Sequence, residues 1–288
     1  MTAAVAEDLV LPDLTITSAG RTFVAQAFFI DLDGTMLDSY RKRIGRKNRA
    51  AVRTLNQHRP VVISTGRAYT PKIQTLMQTL GIQYAICQNG ALIVDEHGTT
   101  LANIALRSEQ IAQVLEAARQ FNLAISINST FEVFSDIKSW CWLRWFWSTK
   151  FKRTSAINWA AYPTINKLTL VGRRRKKIHA AYTALKPQIS GVSIKTSGHD
   201  YVIEITHEAA TKGQGARFIS ARLGVAPHQS VHIGDSQNDA TTAGIVGALI
   251  AMKNASRKLL AVATHVGPHY RRGGLARLLA GNFREIKR

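Results

Sequence analysis

The chain has 288 residues, and 45% of them are apolar, which is enough to bury one large core or two of moderate size. Its 38 lysine and arginine residues against 18 acidic residues give a formal net charge of +20, which favours anionic partners without constraining the fold. Its two cysteines, Cys87 and Cys141, lie far apart, which excludes a disulfide framework and a Cys-x-x-Cys metal site.

The first 21 residues contain three acidic side chains and lack the basic start and apolar stretch of a signal peptide. We interpret residues 1–21 as an N-terminal extension. The apolar segments of the chain all fall short of the ~20 residues that a membrane-spanning helix needs. We therefore expect no membrane span. The two cysteines, which form no disulfide framework, favour a reducing, cytoplasmic compartment.

Short apolar runs that end in a small or polar residue recur along the chain and predict buried parallel strands. They lie at 25–30, 61–64, 84–87, 231–234 and 248–252. Helical patterns alternate with them, at 48–56, 70–80, 213–223 and 255–263. This alternation predicts an α/β fold with a Rossmann-like, doubly wound parallel sheet.

Between residues 91 and 205 the pattern changes to strand-like pieces with helices at 108–121 and 175–185. Strands with intervening helices predict an α+β module inserted into the first domain. The core would then combine residues 22–90 with residues 206–288, and residues 91–205 would form the inserted domain.

Two carboxylates stand directly after the first predicted strand, in the sequence Asp-Leu-Asp-Gly-Thr at 31–35. A single aspartate before glycine commonly closes a strand or caps a helix. In open α/β sheets, however, ligands bind outside the carboxyl ends of the strands. The pair Asp31 and Asp33 therefore indicates a functional site.

Three further polar motifs occupy equivalent places. Ser-Thr-Gly-Arg at 64–67 opens a helix, where a hydroxyl and unpaired backbone N–H groups can bind an anion. Lys212 opens the helix at 213–223, and Gly-Asp-Ser-Gln-Asn-Asp follows a strand at 234–239. The last motif supplies the carboxylate and amide oxygens that suit Mg²⁺. Taken singly, the motif at 64–67 is typical of a helix cap and Lys212 of a solvated lysine.

In this order and at strand ends, these motifs resemble motifs I to IV of the haloacid dehalogenase superfamily. Together with Asn89 and Gly90 they resemble its Cof-like hydrolase branch, over about residues 25–265. The resemblance implies a Mg²⁺-dependent phosphatase. It would hydrolyse a small phosphorylated metabolite, a sugar phosphate or a similar compound, through an aspartyl-phosphate intermediate.

Spacing narrows the type within the family. Only 31 residues lie between Asp33 and Thr65, whereas 144 lie between Arg67 and Lys212. The inserted module therefore falls between motifs II and III, the place of the class II cap in the family. The α+β pattern of residues 91–205 resembles the larger form of this cap, class IIB. In the family the cap determines substrate specificity.

The resemblance also implies a role for each motif residue. Asp31 would be the nucleophile, and Asp33 the general acid and base. Mg²⁺ would be held by Asp31, the backbone carbonyl of Asp33, and Asp235. Phosphate would be bound by Leu32, Thr65, Gly66, Lys212 and Asn238. Supporting residues around them would be Asp239, Asn89 and Arg67.

Two other functions stay open at this point. A phosphomutase of the same cap class would transfer the phosphoryl group to a sugar hydroxyl instead of water. A basic nucleic-acid or anionic-surface binder with a vestigial site would explain the net charge and the Trp/Arg-rich segment at 139–153. The intact motif residues make nucleic acid the weaker partner. His232, inside a predicted strand, is interpreted as a core histidine.

Overall fold

A computed structural model of the chain describes residues 13–18, 20–38, 43–127, 132–134, 150–152, 157–158, 161–162, 164–197 and 200–287. The chain divides into two compact units. The larger unit comprises Met1–Leu101 and Thr211–Arg288, and the smaller unit comprises Ala102–Ala210. Within the described residues, every helix is too short or too polar to serve as a membrane span.

The strands are, in chain order, β1 (Thr15–Ser18), β2 (Arg21–Val24), β3 (Ala27–Ile30), β4 (Leu37–Asp38), β5 (Arg43–Ile44), β6 (Val61–Ser64), β7 (Tyr84–Cys87), β8 (Leu92–Asp95), β9 (Thr100–Asn103), β10 (Ala124–Ile127), β11 (Glu132–Phe134), β12 (Lys150–Lys152), β13 (Lys167–Val171), β14 (Val192–Ser197), β15 (Val202–His207), β16 (Ser230–Gly234), β17 (Ala248–Ala251), β18 (His265–Val266) and β19 (Arg284–Glu285). The α-helices are α1 (Arg46–His58), α2 (Pro71–Leu80), α3 (Ser108–Gln120), α4 (Arg175–Gln188), α5 (Lys212–Leu223), α6 (Arg257–Leu260) and α7 (Gly274–Leu279).

The larger unit is organised around one sheet in the order β19-β18-β17-β16-β3-β6-β7-β8-β9. The strands from β18 to β7 run parallel to their neighbours, whereas β19 and β8 are antiparallel to β18 and β7. The predicted α/β fold with a mostly parallel sheet is therefore confirmed.

Helices cover both faces of this sheet because its central strands are apolar on both sides. Alternate residues of a strand point to opposite faces. On one face Phe28 packs in a cluster with Val52 of α1 and Met77 of α2. On the other face α5 lies so close that a Cβ on Gly215 would be 2.7 Å from Ile86 Cγ2. Each fully buried large apolar side chain contributes about 1.5–3 kcal/mol to stability.

The smaller unit contains a six-stranded sheet in the order β12-β11-β10-β13-β15-β14. Its pairs are antiparallel except β11 with β12. Leu170 and Ile203 of the sheet pack against Val114 of α3 and Ile178 of α4 in a separate apolar cluster. The unit therefore has a core of its own.

The unit boundaries differ from the predicted ones at both ends of the insertion. The smaller unit begins at residue 102 instead of 91, because β8 pairs with β7 and extends the larger sheet. It ends at residue 210 instead of 205, because β15 continues to His207.

The structure corrects the interpretation of residues 1–21 as an N-terminal extension at residues 14–18, which belong to the larger unit. Strands β1 and β2 form a hairpin, and Leu14 and Ile16 are buried in the core of the larger unit. The Trp/Arg-rich segment at 139–153 lies outside the described residues, apart from the three residues of β12.

Candidate active site

The predicted site residues gather where the parallel strands end. Because β16, β3 and β6 are adjacent and parallel, their carboxyl ends lie along one edge of the sheet. Asp31 follows β3, Thr65 follows β6, and Asp235 follows β16. The topology thus converts three positions that are remote in sequence into neighbours.

Lys212 connects a carboxylate of the first core segment, Asp31, with one of the second, Asp239, at this edge. The Thr211 hydroxyl accepts a hydrogen bond from the Gln214 backbone N–H at 3.1 Å and caps α5, so Lys212 is the first residue of that helix. Its Nζ lies 2.6 Å from Asp31 Oδ1 and 2.7 Å from Asp239 Oδ1. The Lys212 side chain is 0% exposed, so it is not a solvated surface lysine.

The two carboxylates keep this buried lysine charged. Burial by itself would lower the pKa of Lys212, but the charges of Asp239 and Asp31 outweigh burial and raise that pKa. A cation fixed between the two carboxylates offsets their mutual repulsion. It also provides a positive centre for an anionic ligand at the edge of the sheet.

Asp239 accepts hydrogen bonds at both of its oxygens. Oδ1 accepts from Lys212 Nζ and lies 2.8 Å from His232 Nε2, while Oδ2 accepts the backbone N–H groups of Asp235 at 3.1 Å and Ser236 at 2.9 Å. Burial would raise the pKa of Asp239, but Lys212 and His232 hold it below its usual range. Asp239 is therefore ionised and fully engaged by protein groups.

The negative charges of Asp31 and Asp235 are less well balanced by nearby positive charge and hydrogen-bond donors than the charge of Asp239 is. Burial raises the pKa of Asp31 well above its ordinary value, despite the opposing charge of Lys212. Burial and the charge of Asp239 raise the pKa of Asp235 to about 7. Two desolvated carboxylates that need further positive charge are the donor type that holds a divalent cation.

One oxygen from each of Asp31, Asp235 and Asp239 can be grouped within 4.8 Å. Because four protein donors already occupy Asp239, the ligands best suited to a cation are Asp31 and Asp235. This donor set fits Mg²⁺, which binds few carboxylates and keeps waters or substrate oxygens as its other ligands. The acidic cluster is thus compatible with the predicted magnesium site.

Asn254 connects the two sides of this cluster. Its Nδ2 donates to the Gly34 backbone carbonyl at 2.9 Å and to Asp235 Oδ2 at 2.9 Å. Gly34 has a left-handed φ of +76°, and a Cβ there would lie 2.1 Å from Asp235 Oδ2. Only glycine therefore lets the loop after β3 approach Asp235 so closely.

The amide of Asn238 is held by two neighbours. Its Oδ1 accepts from the Ser236 hydroxyl at 2.6 Å, and its Nδ2 donates to Asn89 Oδ1 at 2.7 Å. An amide nitrogen carries two hydrogens, so Asn238 keeps one for a ligand. A Cβ on Gly66 would lie 2.9 Å from Asn89 Oδ1, so the turn after Thr65 lies next to the contact between Asn89 and Asn238.

Asn89 reaches this position through an unusual backbone. Gln88, Asn89 and Gly90 have successive left-handed φ values of 55°, 63° and 105°. A Cβ on Gly90 would lie 2.2 Å from the Thr211 carbonyl oxygen, so the turn presses against the start of α5. Non-glycine residues in this region store strain of order 1–3 kcal/mol each, which concentrates at functional sites.

Asp33 and Leu32 face in different directions. The Asp33 carboxylate is 48% exposed and is held by Arg67, with Nε to Oδ2 at 2.6 Å and a second nitrogen to Oδ1 at 2.5 Å. The Leu32 side chain is fully buried in the apolar core, so only its backbone can contact a ligand.

The structure brings together every residue that the motifs predicted, with Arg67 and Asp33 as a pair at the exposed side. Sequence reasoning missed Asn254 as a site residue and treated His232 as an ordinary core residue. Asn254 had a usable signal, because it is a polar residue that follows the end of β17. His232 had none, since it lies within a buried strand.

A family model described as haloacid dehalogenase-like hydrolase matches residues 28–279. The chain belongs to this family. The resemblance drawn from the four motifs is therefore confirmed. Over 82% of this chain it is similar, at 22% identity, to phosphatase YwpJ of Bacillus subtilis, of which the match covers 92%. It is also 25% identical to a phosphoglycolate phosphatase of Archaeoglobus fulgidus, over 85% of this chain and 92% of that protein.

Solved structures agree on the fold. The subclass IIB sugar phosphatase BT4131 superposes with a TM-score of 0.75 at 16% identity, covering 89% of this chain and 98% of its own. A haloacid dehalogenase-like hydrolase from Bacillus subtilis gives a TM-score of 0.75 at 20% identity, covering 88% and 98%. These likenesses support the haloacid dehalogenase-like fold.

Proposed function

We propose that this haloacid dehalogenase-like hydrolase is a Mg²⁺-dependent phosphatase that hydrolyses a small phosphorylated metabolite through an aspartyl-phosphate intermediate. The observation that carries the proposal is the buried bridge of Lys212 between Asp31 and Asp239, with Asp235 beside it. A nucleophilic carboxylate, a fixed cation and a candidate metal site meet there at one sheet edge.

Asp31 is the nucleophile in this proposal. Its carboxylate attacks phosphorus in line with the leaving oxygen, an Asp31–phosphate bond forms, and the ester P–O bond breaks. The hydrogen bond from Lys212 to Oδ1 fixes the rotation of the carboxylate about its C–C bond. Water then attacks the phosphorus of the intermediate, which releases inorganic phosphate and regenerates Asp31.

The equatorial oxygens of the phosphoryl group need donors where negative charge accumulates. Lys212 supplies a charged donor, and Asn238 supplies its remaining amide hydrogen. The Thr65 hydroxyl accepts the Arg67 backbone N–H at 3.1 Å, which leaves its own hydrogen for the phosphate. The Gly66 and Leu32 backbone N–H groups complete the proposed set.

Asp33 is the proposed general acid and base. It gives a proton to the leaving alkoxide in the first step and takes one from the attacking water in the second. Its exposed position beside the buried nucleophile suits a group that exchanges protons with substrate and water.

Asp31, Asp235 and the backbone carbonyl of Asp33 would hold Mg²⁺, and Asn254 would orient the Asp235 carboxylate for it. When bound, Mg²⁺ neutralises charge between the carboxylate nucleophile and the anionic phosphoryl group. The raised pKa of Asp235 is consistent with a carboxylate whose counter-charge is a metal ion.

The smaller unit supplies substrate specificity in this proposal. Relatives are named for phosphoglycolate and for sugar phosphates, both of them small phosphorylated metabolites. A phosphomutase would need the same core residues, and the acceptor of the phosphoryl group separates the two activities. Release of inorganic phosphate into water identifies the phosphatase.

Asp31→Asn tests the proposal. With p-nitrophenyl phosphate and Mg²⁺, this variant should lose hydrolysis while its circular dichroism and thermal unfolding remain those of a folded protein. Asp13→Asn is the matched control, because Asp13 is exposed and pairs only with Arg59, at 3.4 Å, among the described residues. Retained turnover in folded Asp31→Asn would overturn the nucleophile assignment.

A further inference from the structure

His232 lies in the interior of β16 and is 0% exposed. Its Nε2 is 2.8 Å from Asp239 Oδ1, and this is the one hydrogen bond that the described residues give to its ring. Asp239 Oδ1 also accepts from Lys212 Nζ, which in turn donates to Asp31. A chain of three short polar contacts therefore runs from the sheet interior to the proposed nucleophile.

The protonation of the ring follows from its surroundings. Burial lowers the pKa of His232, despite the favourable charge of Asp239, so the imidazole is neutral. Because Asp239 is ionised, the hydrogen resides on Nε2 and is donated to Oδ1. The other nitrogen, Nδ1, is then an acceptor, and it is buried with no hydrogen-bond partner among the described residues.

This arrangement weakens the fold at that point. An apolar residue in β16 would avoid both the desolvation of the imidazole and the unmet acceptor at Nδ1. The compensating feature is the contact with Asp239, which shares the same oxygen with Lys212. Removing His232 would leave that oxygen with Lys212 as its sole side-chain donor.

We propose that His232 is a positioning residue, whose Nε2–H fixes the Asp239 carboxylate and thereby holds Lys212 against Asp31. This inference rests on the proposed function of Asp31 and Lys212. It assigns the imidazole no contact with substrate and no proton transfer. Its effect appears in the rate of the chemical step rather than in substrate binding.

A pair of amide variants tests the role, since glutamine places an N–H group near the position of Nε2 and asparagine does not reach it. With p-nitrophenyl phosphate and saturating Mg²⁺, His232→Asn should lower kcat about 10–100-fold with an unchanged KM. His232→Gln should keep kcat within a few-fold of the unaltered protein. Equal kcat values in the two folded variants would overturn the proposal.

His265→Asn is the matched control. His265 is also buried in the same sheet, in β18, but its Nδ1 contacts Thr264 at 2.9 Å, away from the acidic cluster. The control variant should unfold at a lower temperature and keep its kcat. A loss of kcat in His265→Asn similar to that in His232→Asn would show a general effect on the sheet and reject positioning.

A second measurement is independent of activity. Crystal structures of the His232→Asn and His232→Gln variants should differ in the contact of Lys212 Nζ with Asp31 Oδ1, which we expect to be lost in the first and kept in the second. An unaltered contact in both variants would overturn the proposal. If the unaltered protein hydrolyses no phosphomonoester, the proposed phosphatase function fails, while this comparison still decides the role of His232.

Discussion

Arg67 holds both oxygens of the Asp33 carboxylate, with nitrogen-to-oxygen distances of 2.6 and 2.5 Å. Such a forked pair fixes the plane of a carboxylate as well as its position, which a lysine cannot do. The two residues come from neighbouring strand ends, after β3 and β6. Arg67 therefore orients the group that we propose as general acid and base.

Arg67→Lys should slow substrates according to their leaving groups. An alkyl phosphate needs a proton on the departing oxygen, whereas 2,4-dinitrophenyl phosphate leaves without one. We expect kcat for glycerol phosphate to fall about 10-fold or more beyond any change for 2,4-dinitrophenyl phosphate. Arg59→Lys, which alters the surface pair with Asp13, is the control. A uniform loss for both substrates would exclude the orienting role.

Asp235 should make the metal-free protein less stable as pH rises. Its pKa is raised from 3.8 to about 7 in the folded state, so between these values the folded protein binds a proton that the unfolded chain does not. The contribution of Asp235 to stability is therefore fully present below about pH 4 and is lost as pH rises towards 7, with a slope of up to about 1.4 kcal/mol per pH unit.

Urea unfolding in EDTA across pH 4–8 measures this dependence, and Asp235→Asn should reduce its slope, the remainder coming from Asp31, whose pKa is also raised. Mg²⁺ should reverse the trend near neutral pH, because a ligand that binds only the folded state stabilises it. That gain should be absent from Asp235→Asn. A pH profile that is the same in the variant and the unaltered protein would contradict the prediction.

Gly34→Ala should impair the site through geometry alone. The new Cβ would meet Asp235 Oδ2 at 2.1 Å and displace that carboxylate. Gly20→Ala is the matched control. Gly20 has nearly the same φ, +75°, but a Cβ added there would meet no other atom within 4 Å. Both variants carry backbone strain of about 1–3 kcal/mol. Only Gly34→Ala should need a higher Mg²⁺ concentration for half-maximal hydrolysis, and equal requirements would refute the steric argument.

The larger fold and the proximity of most candidate site residues could be predicted because both follow from local patterns. Apolar runs identified β6 and β7 with their observed bounds, and polar residues after strand ends marked Asp31, Thr65 and Asp235. These signals depend on a few consecutive residues and on the rule that parallel strands share one functional edge.

What escaped prediction depends on contacts between distant segments. The N-terminal hairpin is stabilised by burial of Leu14 and Ile16 in a core that the rest of the chain builds. The pairing of β8 with β7 moved the start of the smaller unit to residue 102. The proposed role of His232 depends on the 3-10 turn at Asp239–Thr242. This turn brings the Asp239 carboxylate back into contact with β16, the strand that precedes it.

The pairing of β3 with β16 has a consequence for synthesis of the chain. While residues up to 210 are being made, β3 already carries Asp31 but has an open edge where β16 belongs, and an open apolar edge is prone to pair with other chains. Lys212 and Asp235 arrive only with the segment that follows residue 210. A nascent chain therefore assembles its candidate active site and closes its main sheet in the same late event.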